Sequence, residues 1–289
     1  KSAYPYPERS YQKANKPTAP RRVPSETVLL RKLTARSAIV MDGRTGETLY
    51  AFCANLPGQP ASTIKILTGL ISMKALKKGE MVYASGRAAR MPRSKIYLRR
   101  GKSYLADDLI NAVLVASAND ASVALAEKIS GSEWAFAKVM TKKAREMGAK
   151  FTVCKTATGL TKRGQKSTVR DLAVIFNKAM KNWGFARRMA RKRIKTNDGK
   201  ILKNHNKALW NVEGAEGGKT GYTRAAGQTY VGKFRRGKDE LVVAVMGSKS
   251  RWQDVRNLVE YGFARRQKGR IANDMTDASQ TGPVYPDRL

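Results

Sequence analysis

Apolar positions change their spacing along this chain, and each change predicts a different element. Ser37-Ala38-Ile39-Val40-Met41 and Thr48-Leu49-Tyr50-Ala51-Phe52 are short apolar runs flanking Gly43-Arg44-Thr45-Gly46. Two such runs around a glycine turn predict a β-hairpin. The next apolar run, Ile64 to Leu76, is long enough for a helix, and Gly79 marks its stop. Leu109 to Ala116, opened by Asp107-Asp108, is apolar on all sides and predicts a buried helix. The pattern breaks at Ser117-Ala118-Asn119-Asp120. Helices follow from Ala121 to Ile129 and from Trp134 to Met147, the second with lysines opposite its apolar side. Thr152 to Gln165 reads as a loop. Ser167-Thr168-Val169-Arg170-Asp171 reads as a helix start, with Thr168 and Asp171 spaced like a capping box, and the helix continues through Met180.

From Gly218 the pattern turns to strands. Gln228 to Phe234 alternates, Arg236-Gly237-Lys238-Asp239 is a turn, and Leu241 to Met246 is a buried strand. Trp252 to Phe263 closes the pattern as a helix. Residues 82–105 and 187–203 are basic and show no apolar period. Residues 1–33 are rich in proline and charge and predict an extended basic arm, and 264–289 predict a polar tail. Between them, 34–263 form one α/β (α+β) catalytic unit. The early hairpin and the late strands share one antiparallel sheet, because neither group buries both faces alone. The helical middle forms a second lobe, and the cleft between sheet and lobe is the expected site.

Composition narrows the partners. Net charge is +35, from 57 basic and 22 acidic residues. That excess attracts polyanions. The basic residues lie in short, scattered runs, so anionic wall polymers or membrane head groups are expected partners and a specific nucleic acid is not. One His and two Cys leave no zinc-finger spacing, and no metal or cofactor is expected. Cys53 and Cys154 leave room for one bridge in an oxidising compartment. No apolar run approaches the roughly 18 residues that span a bilayer. The chain opens on Lys1 without a signal-type segment, which fits a mature exported protein or a trimmed chain.

The chemistry centres on Pro60-Ala61-Ser62-Thr63-Ile64-Lys65. Ser62 and Lys65 are three apart at a helix start, so they share one face. A serine hydroxyl needs an adjacent base, and a lysine whose pKa is lowered by burial or nearby cations can serve. The pattern alone is weak: Ser10-Tyr11-Gln12-Lys13 repeats it within the arm, and Ser62 could simply cap a helix. Two further motifs follow in order, Ser117-Ala118-Asn119 and Lys219-Thr220-Gly221, each at an element boundary. The three together are the signature of penicillin-binding proteins and class A β-lactamases.

The wider stretches Ala116 to Ala121, Ser167 to Leu172 and Gly218 to Thr223, with Ala226-Gly227, resemble the low-molecular-weight penicillin-binding proteins. These are the serine-type D-alanyl-D-alanine carboxypeptidases and endopeptidases, and the resemblance covers about residues 35 to 263. It implies a β-lactamase/DD-peptidase-like fold. It implies that Ser62 attacks the carbonyl between two D-alanines and that Lys65 takes its proton. Ser117 relays a proton to the leaving amine, tuned by Lys219. Asn119 holds the lobe edge and bonds the substrate amide. Thr220 meets the substrate carboxylate beside Gly221, and the backbone N–H groups of Ser62 and Tyr222 form the oxyanion hole. Asn204-His205-Asn206 resembles a family segment where, in some relatives, a basic residue helps hold that carboxylate; Asp171 reads as structural. The implied partners are peptidoglycan stem peptides and β-lactam antibiotics, in the periplasm or the extracytoplasmic cell wall.

Two departures matter. Class A β-lactamases use a glutamate to activate the deacylating water, and this chain has no Glu between Glu146 and Glu213. Penicillin should therefore inhibit rather than be consumed. No amphipathic anchoring pattern follows Phe263, which keeps an endopeptidase in view beside the carboxypeptidase. A β-lactamase and a non-catalytic wall-binding protein are the remaining readings.

Overall fold

The computed structural model describes residues 25–280, with side chains described to Arg270. Helix α1 (Glu26–Lys32) leads into the hairpin β1 (Ser37–Asp42) and β2 (Thr48–Phe52). A 3-10 turn (Ala61–Ile64) runs directly into α2 (Lys65–Ala75). The helical lobe then carries β3 (Met81–Tyr83), α3 (Gly86–Ala89), β4 (Ser103–Leu105), α4 (Ala106–Leu114), α5 (Asn119–Ser130), α6 (Glu133–Glu146), α7 (Val169–Met180) and α8 (Trp183–Ala190). The small hairpin β5 (Arg193–Lys195) and β6 (Ile201–Lys203) and helix α9 (Ala208–Asn211) lead back to the sheet. There β7 (Ala215–Thr223), β8 (Gly227–Arg236) and β9 (Asp239–Ser248) precede α10 (Arg251–Gln280).

The sheet order is β2-β1-β9-β8-β7, antiparallel throughout. β1 pairs with β9 from Ser37↔Met246 to Asp42↔Leu241, so early and late strands share one sheet, as the pattern predicts. Alternate residues of β1 and β9 divide between two cores. Val40, Val243 and Val245 face Leu258 and Val259 of α10. Ile39, Val242 and Ala244 join the lobe core with Leu172 and Phe176 of α7. The sheet is thus buried on both faces, and helices lie against each.

Four segments differ from their sequence expectations. Glu26–Lys32, within the predicted extended arm, is a helix capped by Ser25, whose hydroxyl accepts from Val28 N at 3.3 Å. Leu29 anchors it in the α10-side core. The rest of the arm, residues 1–24, lies outside the described residues. The predicted polar tail is helical as far as Gln280. The apolar period stops at Phe263, but Arg265 reaches Glu26 at 3.1 Å, Arg266 reaches Asp42 at 3.2 Å, and Arg270 bonds Asp239. Charge pairs hold this part of the helix to the body, and an apolar pattern does not register them. Finally, the basic stretches 82–105 and 187–203 carry β3, α3, β4, part of α8 and the β5–β6 hairpin. These elements are short and bury few side chains each, so no period develops.

Cys53 and Cys154 do not form the bridge that composition leaves open; both are free, one exposed and one buried. Thr168 caps α7 by accepting from Asp171 N at 3.0 Å. The Asp171 carboxylate does not return the bond as in a capping box. It accepts from Phe151 N at 2.8 Å and Thr152 Oγ1 at 2.7 Å, tying the preceding loop to α7.

Candidate active site

Ser62 sits in the 3-10 turn and Lys65 begins α2, with Lys65 fully buried. Lys65 Nζ lies 2.9 Å from Ser62 Oγ, 2.7 Å from Asn119 Oδ1 and 2.6 Å from the Thr158 carbonyl oxygen. Burial first, and the Lys219 ammonium second, hold its pKa well below the usual lysine range; Glu133 and Asp120 oppose this. A neutral amine has two N–H groups and one lone pair. The two fixed oxygens of Asn119 and Thr158 take the two N–H groups. In that neutral form the lone pair is left for the Ser62 hydroxyl, which then donates to Lys65; in the ammonium form the third N–H donates to Ser62 Oγ. The neutral form has the hydrogen count of a general base aimed at its nucleophile.

Both acceptors are themselves held. Asn119 Nδ2 donates to the carbonyls of Pro92 and Arg93, both at 3.0 Å, and this network assigns Oδ1 to Lys65. Asn119 therefore ties the 92–98 segment to the lobe. Both its amide hydrogens are spent, so it meets a substrate only as an acceptor. Asp120 fixes the same segment by accepting from Ile96 N at 3.1 Å and Leu98 N at 3.0 Å.

Thr158 depends on Gly159. Gly159 has φ +76°, and a Cβ there would fall 1.9 Å from the Ala61 carbonyl oxygen. The loop can approach the nucleophile turn this closely only without a side chain. Gly159→Ala is expected to lower stability by roughly 2–4 kcal/mol and slow acylation, because the displaced loop carries the Thr158 carbonyl. Thermal melts with and without benzylpenicillin check it, and an unchanged melt would show that the loop has room to shift.

On the opposite wall, Lys219 is buried on β7, and its Nζ donates to Ser117 Oγ at 2.8 Å and to the Thr220 carbonyl at 3.1 Å. Ser117 adopts a left-handed backbone, φ 59°, a conformation found at sites where geometry is imposed. Burial, and then Arg251, lower the Lys219 pKa to about 7. Below about pH 7 the folded and unfolded chains both hold this proton, and the cost of burying the charge is fully present. Between about 7 and the ordinary 10.5 the folded protein has released it and the unfolded chain has not, so stability rises with pH there. Against Lys219→Met, the wild type is expected to gain up to about 2–3 kcal/mol between about pH 7 and about pH 9. Urea unfolding at both pH values reads this, and parallel curves for the two proteins would exclude it.

Gly221 lets β7 meet the nucleophile turn. A Cβ on it would lie 2.8 Å from Ser62 N and 2.4 Å from Thr229 Oγ1. Thr229 in turn donates to the Pro60 carbonyl at 3.0 Å, as does Thr63 at 2.6 Å. Ser62 N is thereby set against the β7 segment that runs through Thr220 to Tyr222. Thr220 is buried and Tyr222 is exposed at the strand end. β7 is an edge strand, so among the described residues one of its edges lacks a strand partner.

His205 is exposed at the border of the cleft, and its backbone N donates to the Val115 carbonyl at 3.3 Å. That bond fixes the residue between Asn204 and Asn206, whose side chains are buried. Partial burial of the imidazole against the cleft, then Lys219, Lys65 and Arg251, lower its pKa to about 4. The direction makes His205 neutral near pH 7. It offers a hydrogen bond and not the positive charge that its place in the motif suggests.

A positive charge beside Lys219 lies on a residue that no motif singles out. Arg251, at the start of α10, donates through Nη1 to the Gly221 carbonyl at 3.2 Å and the Thr229 carbonyl at 3.4 Å. Burial lowers its pKa. Asp254 anchors this corner by accepting from Thr34 N at 2.9 Å and Ser248 Oγ at 2.6 Å. In a chain with 57 basic residues, one arginine after a strand gives no signal by itself. The cleft therefore gathers Ser62, Lys65, Ser117, Asn119, Lys219, Thr220 and Gly221, with His205 and Tyr222 at its border.

Comparison with known proteins identifies the family. A family model described as D-alanyl-D-alanine carboxypeptidase matches residues 22–250. The D-alanyl-D-alanine carboxypeptidase DacF of Bacillus subtilis is 34% identical over 248 residues, which cover 80% of this chain and 62% of DacF. The chain thus spans less than two thirds of that relative. The D-alanyl-D-alanine carboxypeptidase DacB2 of Mycobacterium tuberculosis is 34% identical over 250 residues, 83% of this chain and 86% of the relative. A crystal structure of a D-alanyl-D-alanine carboxypeptidase from M. tuberculosis matches with a TM-score of 0.75 at 34% identity, covering 80% of this chain and 91% of the other. Penicillin-binding protein D2 of Listeria monocytogenes, solved with ampicillin bound, matches with a TM-score of 0.73 at 27% identity, covering 80% and 98%. With the fold, the three motifs and the family match in agreement, the chain belongs to the family of D-alanyl-D-alanine carboxypeptidases.

Proposed function

We propose that this protein is a penicillin-sensitive serine carboxypeptidase that removes the terminal D-alanine from peptidoglycan stem pentapeptides through a Ser62 acyl-enzyme. The observation that carries the reading is the buried Lys65 amine, 2.9 Å from Ser62 Oγ, with its N–H groups taken by Asn119 and Thr158. An exported enzyme meeting its substrate in the wall fits this chemistry. No helix among the described residues is long and apolar enough to cross a membrane.

In this mechanism the substrate backbone lies along β7, and its terminal carboxylate meets Thr220 under the positive field of Arg251 and Lys219. Ser62 Oγ attacks the carbonyl carbon of the penultimate D-alanine while Lys65 takes the hydroxyl proton. The oxyanion rests on the N–H groups of Ser62 and Tyr222, each such donor contributing roughly 3–4 kcal/mol in the transition state. Ser117, bonded to Lys219, passes a proton to the leaving D-alanine nitrogen as the C–N bond breaks. Water then cleaves the ester, and the Ser62 proton is restored.

The two carboxylates whose charge reaches Lys65 are both occupied. Glu133 accepts from Ala157 N at 3.0 Å and pairs with Arg87 at 2.5 Å, and Asp120 holds Ile96 and Leu98. Neither is free to activate water against a penicilloyl ester, which extends the argument from the missing glutamate. Benzylpenicillin should give a one-to-one adduct on Ser62, seen by intact mass, that outlasts the turnover of peptide by orders of magnitude. Pentapeptide monomers should lose one D-alanine, and cross-linked dimers should react more slowly. Rapid loss of the adduct would favour a β-lactamase, and preferred cleavage of the dimers an endopeptidase.

A further inference from the structure

Away from the cleft, α8 and β5 enclose a groove of about 390 Å³ lined by Arg187, Arg188, Arg191, Arg193 and Lys195, with Trp183 at its edge. We propose that this groove is a docking site for a phosphate-rich polymer, gripped by Arg187, Arg191, Arg193 and Lys195, with Trp183 as a stacking face.

The first support is the pattern of charge pairing. Arg188 is answered by Asp107 at 2.6 Å and by Asn111 at 3.0 Å. Among the described residues, Arg187, Arg191, Arg193 and Lys195 make no ion pair with a carboxylate, and all four are exposed. The basic residues against the sheet are matched instead: Arg235 to Glu216, Arg236 to Glu260, Arg266 to Asp42. Like charges gathered in one groove repel, and a bound polyanion relieves that repulsion. The α8 dipole accounts for part of the cluster, since cations are favourable in a helix's last turn. It does not account for Arg193 and Lys195, which lie on β5 beyond that turn.

The second support is Trp183, which is 73% exposed, more than any other large apolar side chain among the described residues. The Arg187 guanidinium lies 5.1 Å from its ring centroid, which holds the indole beside the cations. An exposed aromatic face beside guanidinium groups suits a ligand that alternates sugar or polyol units with anions.

Charge density selects phosphate. Several cations converge on one small groove, three of them guanidinium forks that match phosphate oxygens two at a time. Stem-peptide carboxylates are spaced more widely, whereas a phosphodiester chain carries one charge per repeat. A membrane surface fits less well, because Trp183 and Ile194 are the only large apolar residues of the lining. The location is also apt for a tether. A Cβ on Gly217 of β7 would lie 2.8 Å from Met189 Cβ, so α8 sits directly against the strand that carries Lys219 and Thr220.

The test uses the full chain and three probes: poly(glycerol phosphate), poly-glutamate of similar length, and vesicles containing phosphatidylglycerol. The triple variant Arg187→Gln, Arg191→Gln, Arg193→Gln is compared with Lys142→Gln, Arg145→Gln, Lys150→Gln, which removes the same charge elsewhere. At about physiological salt, the groove variant should bind poly(glycerol phosphate) at least about tenfold more weakly, and the control within about twofold of wild type. The log–log salt slope should fall by about 2–3 for the groove variant. Trp183→Ala, which removes no charge, should weaken binding severalfold and leave the salt slope unchanged. Thermal melts verify that each variant is folded, and Lys195→Gln alone is the fallback if the triple variant is not. Equal losses in both triple variants would reduce the effect to net charge and overturn the site. So would poly-glutamate binding as tightly as the phosphate polymer, or vesicle binding that depends on the groove while polymer binding does not.

Discussion

Ser62→Ala protein is expected to take up no benzylpenicillin covalently and to release D-alanine at least about 10⁴-fold more slowly than wild type. In the proposed mechanism the Ser62 hydroxyl is the group that forms the acyl bond. Ser62 is partly exposed and Lys65 is its only side-chain partner among the described residues, so the change in stability should stay within about 1 kcal/mol. Loss of labelling with an unchanged melt therefore points to chemistry rather than folding. Intact mass after incubation gives the answer directly. If the variant were labelled at the wild-type rate, the nucleophile would have to be another residue and the proposed function would fall.

Lys65→Met should be almost as damaging, with acylation slowed about 10³–10⁴-fold at the upper end of general-base effects. Methionine fills similar volume but has neither N–H nor an accessible proton-accepting nitrogen. Asn119 Oδ1 and the Thr158 carbonyl then lose their donor at a cost of about 1–3 kcal/mol each, while the penalty for burying an amine disappears. These stability effects oppose one another, so the rate is the decisive readout. Lys65→Arg separates base from charge. It supplies N–H donors and a permanent positive charge in place of the neutral amine, but a guanidinium does not give up its proton in a protein. The arginine variant is therefore expected to acylate as slowly as the methionine variant. Near wild-type speed with arginine in place would show that Lys65 acts by its field alone.

Much of the scaffold is legible in the amino-acid order because it rests on local periodicity. The β1–β2 hairpin, α2, α4 to α7 and the β8–β9 turn all lie where apolar spacing and glycines put them. Elements without such a signal are stabilised by partners remote in sequence. α10 extends past Phe263 on ion pairs with Glu26 and Asp42, and the α1 helix depends on docking Leu29 into the core beneath α10. β7 carries three glycines where a strand usually carries β-branched residues, since it must fit between the nucleophile turn, Tyr230 and α8.

The site divides in the same way. Three short motifs name Ser62, Lys65, Ser117, Asn119, Lys219 and Thr220, because the identity of a reacting group is a property of the residue itself. What those groups do depends on surroundings that no motif contains. The Thr158 carbonyl completes the clamp on Lys65, Gly159 and Gly221 permit the close approach, and Arg251 brings a charge to the Gly221 end of β7 that no motif names. Fold class, family and the candidate reacting side chains can thus be read from the order of residues alone. Protonation states and the direction of the hydrogen bonds arise only once the chain is folded. Both are set by burial and by groups far away along the chain, such as Lys219 against Ser117, 102 positions apart. Desolvation and charge act through space, and the distance along the chain does not measure them.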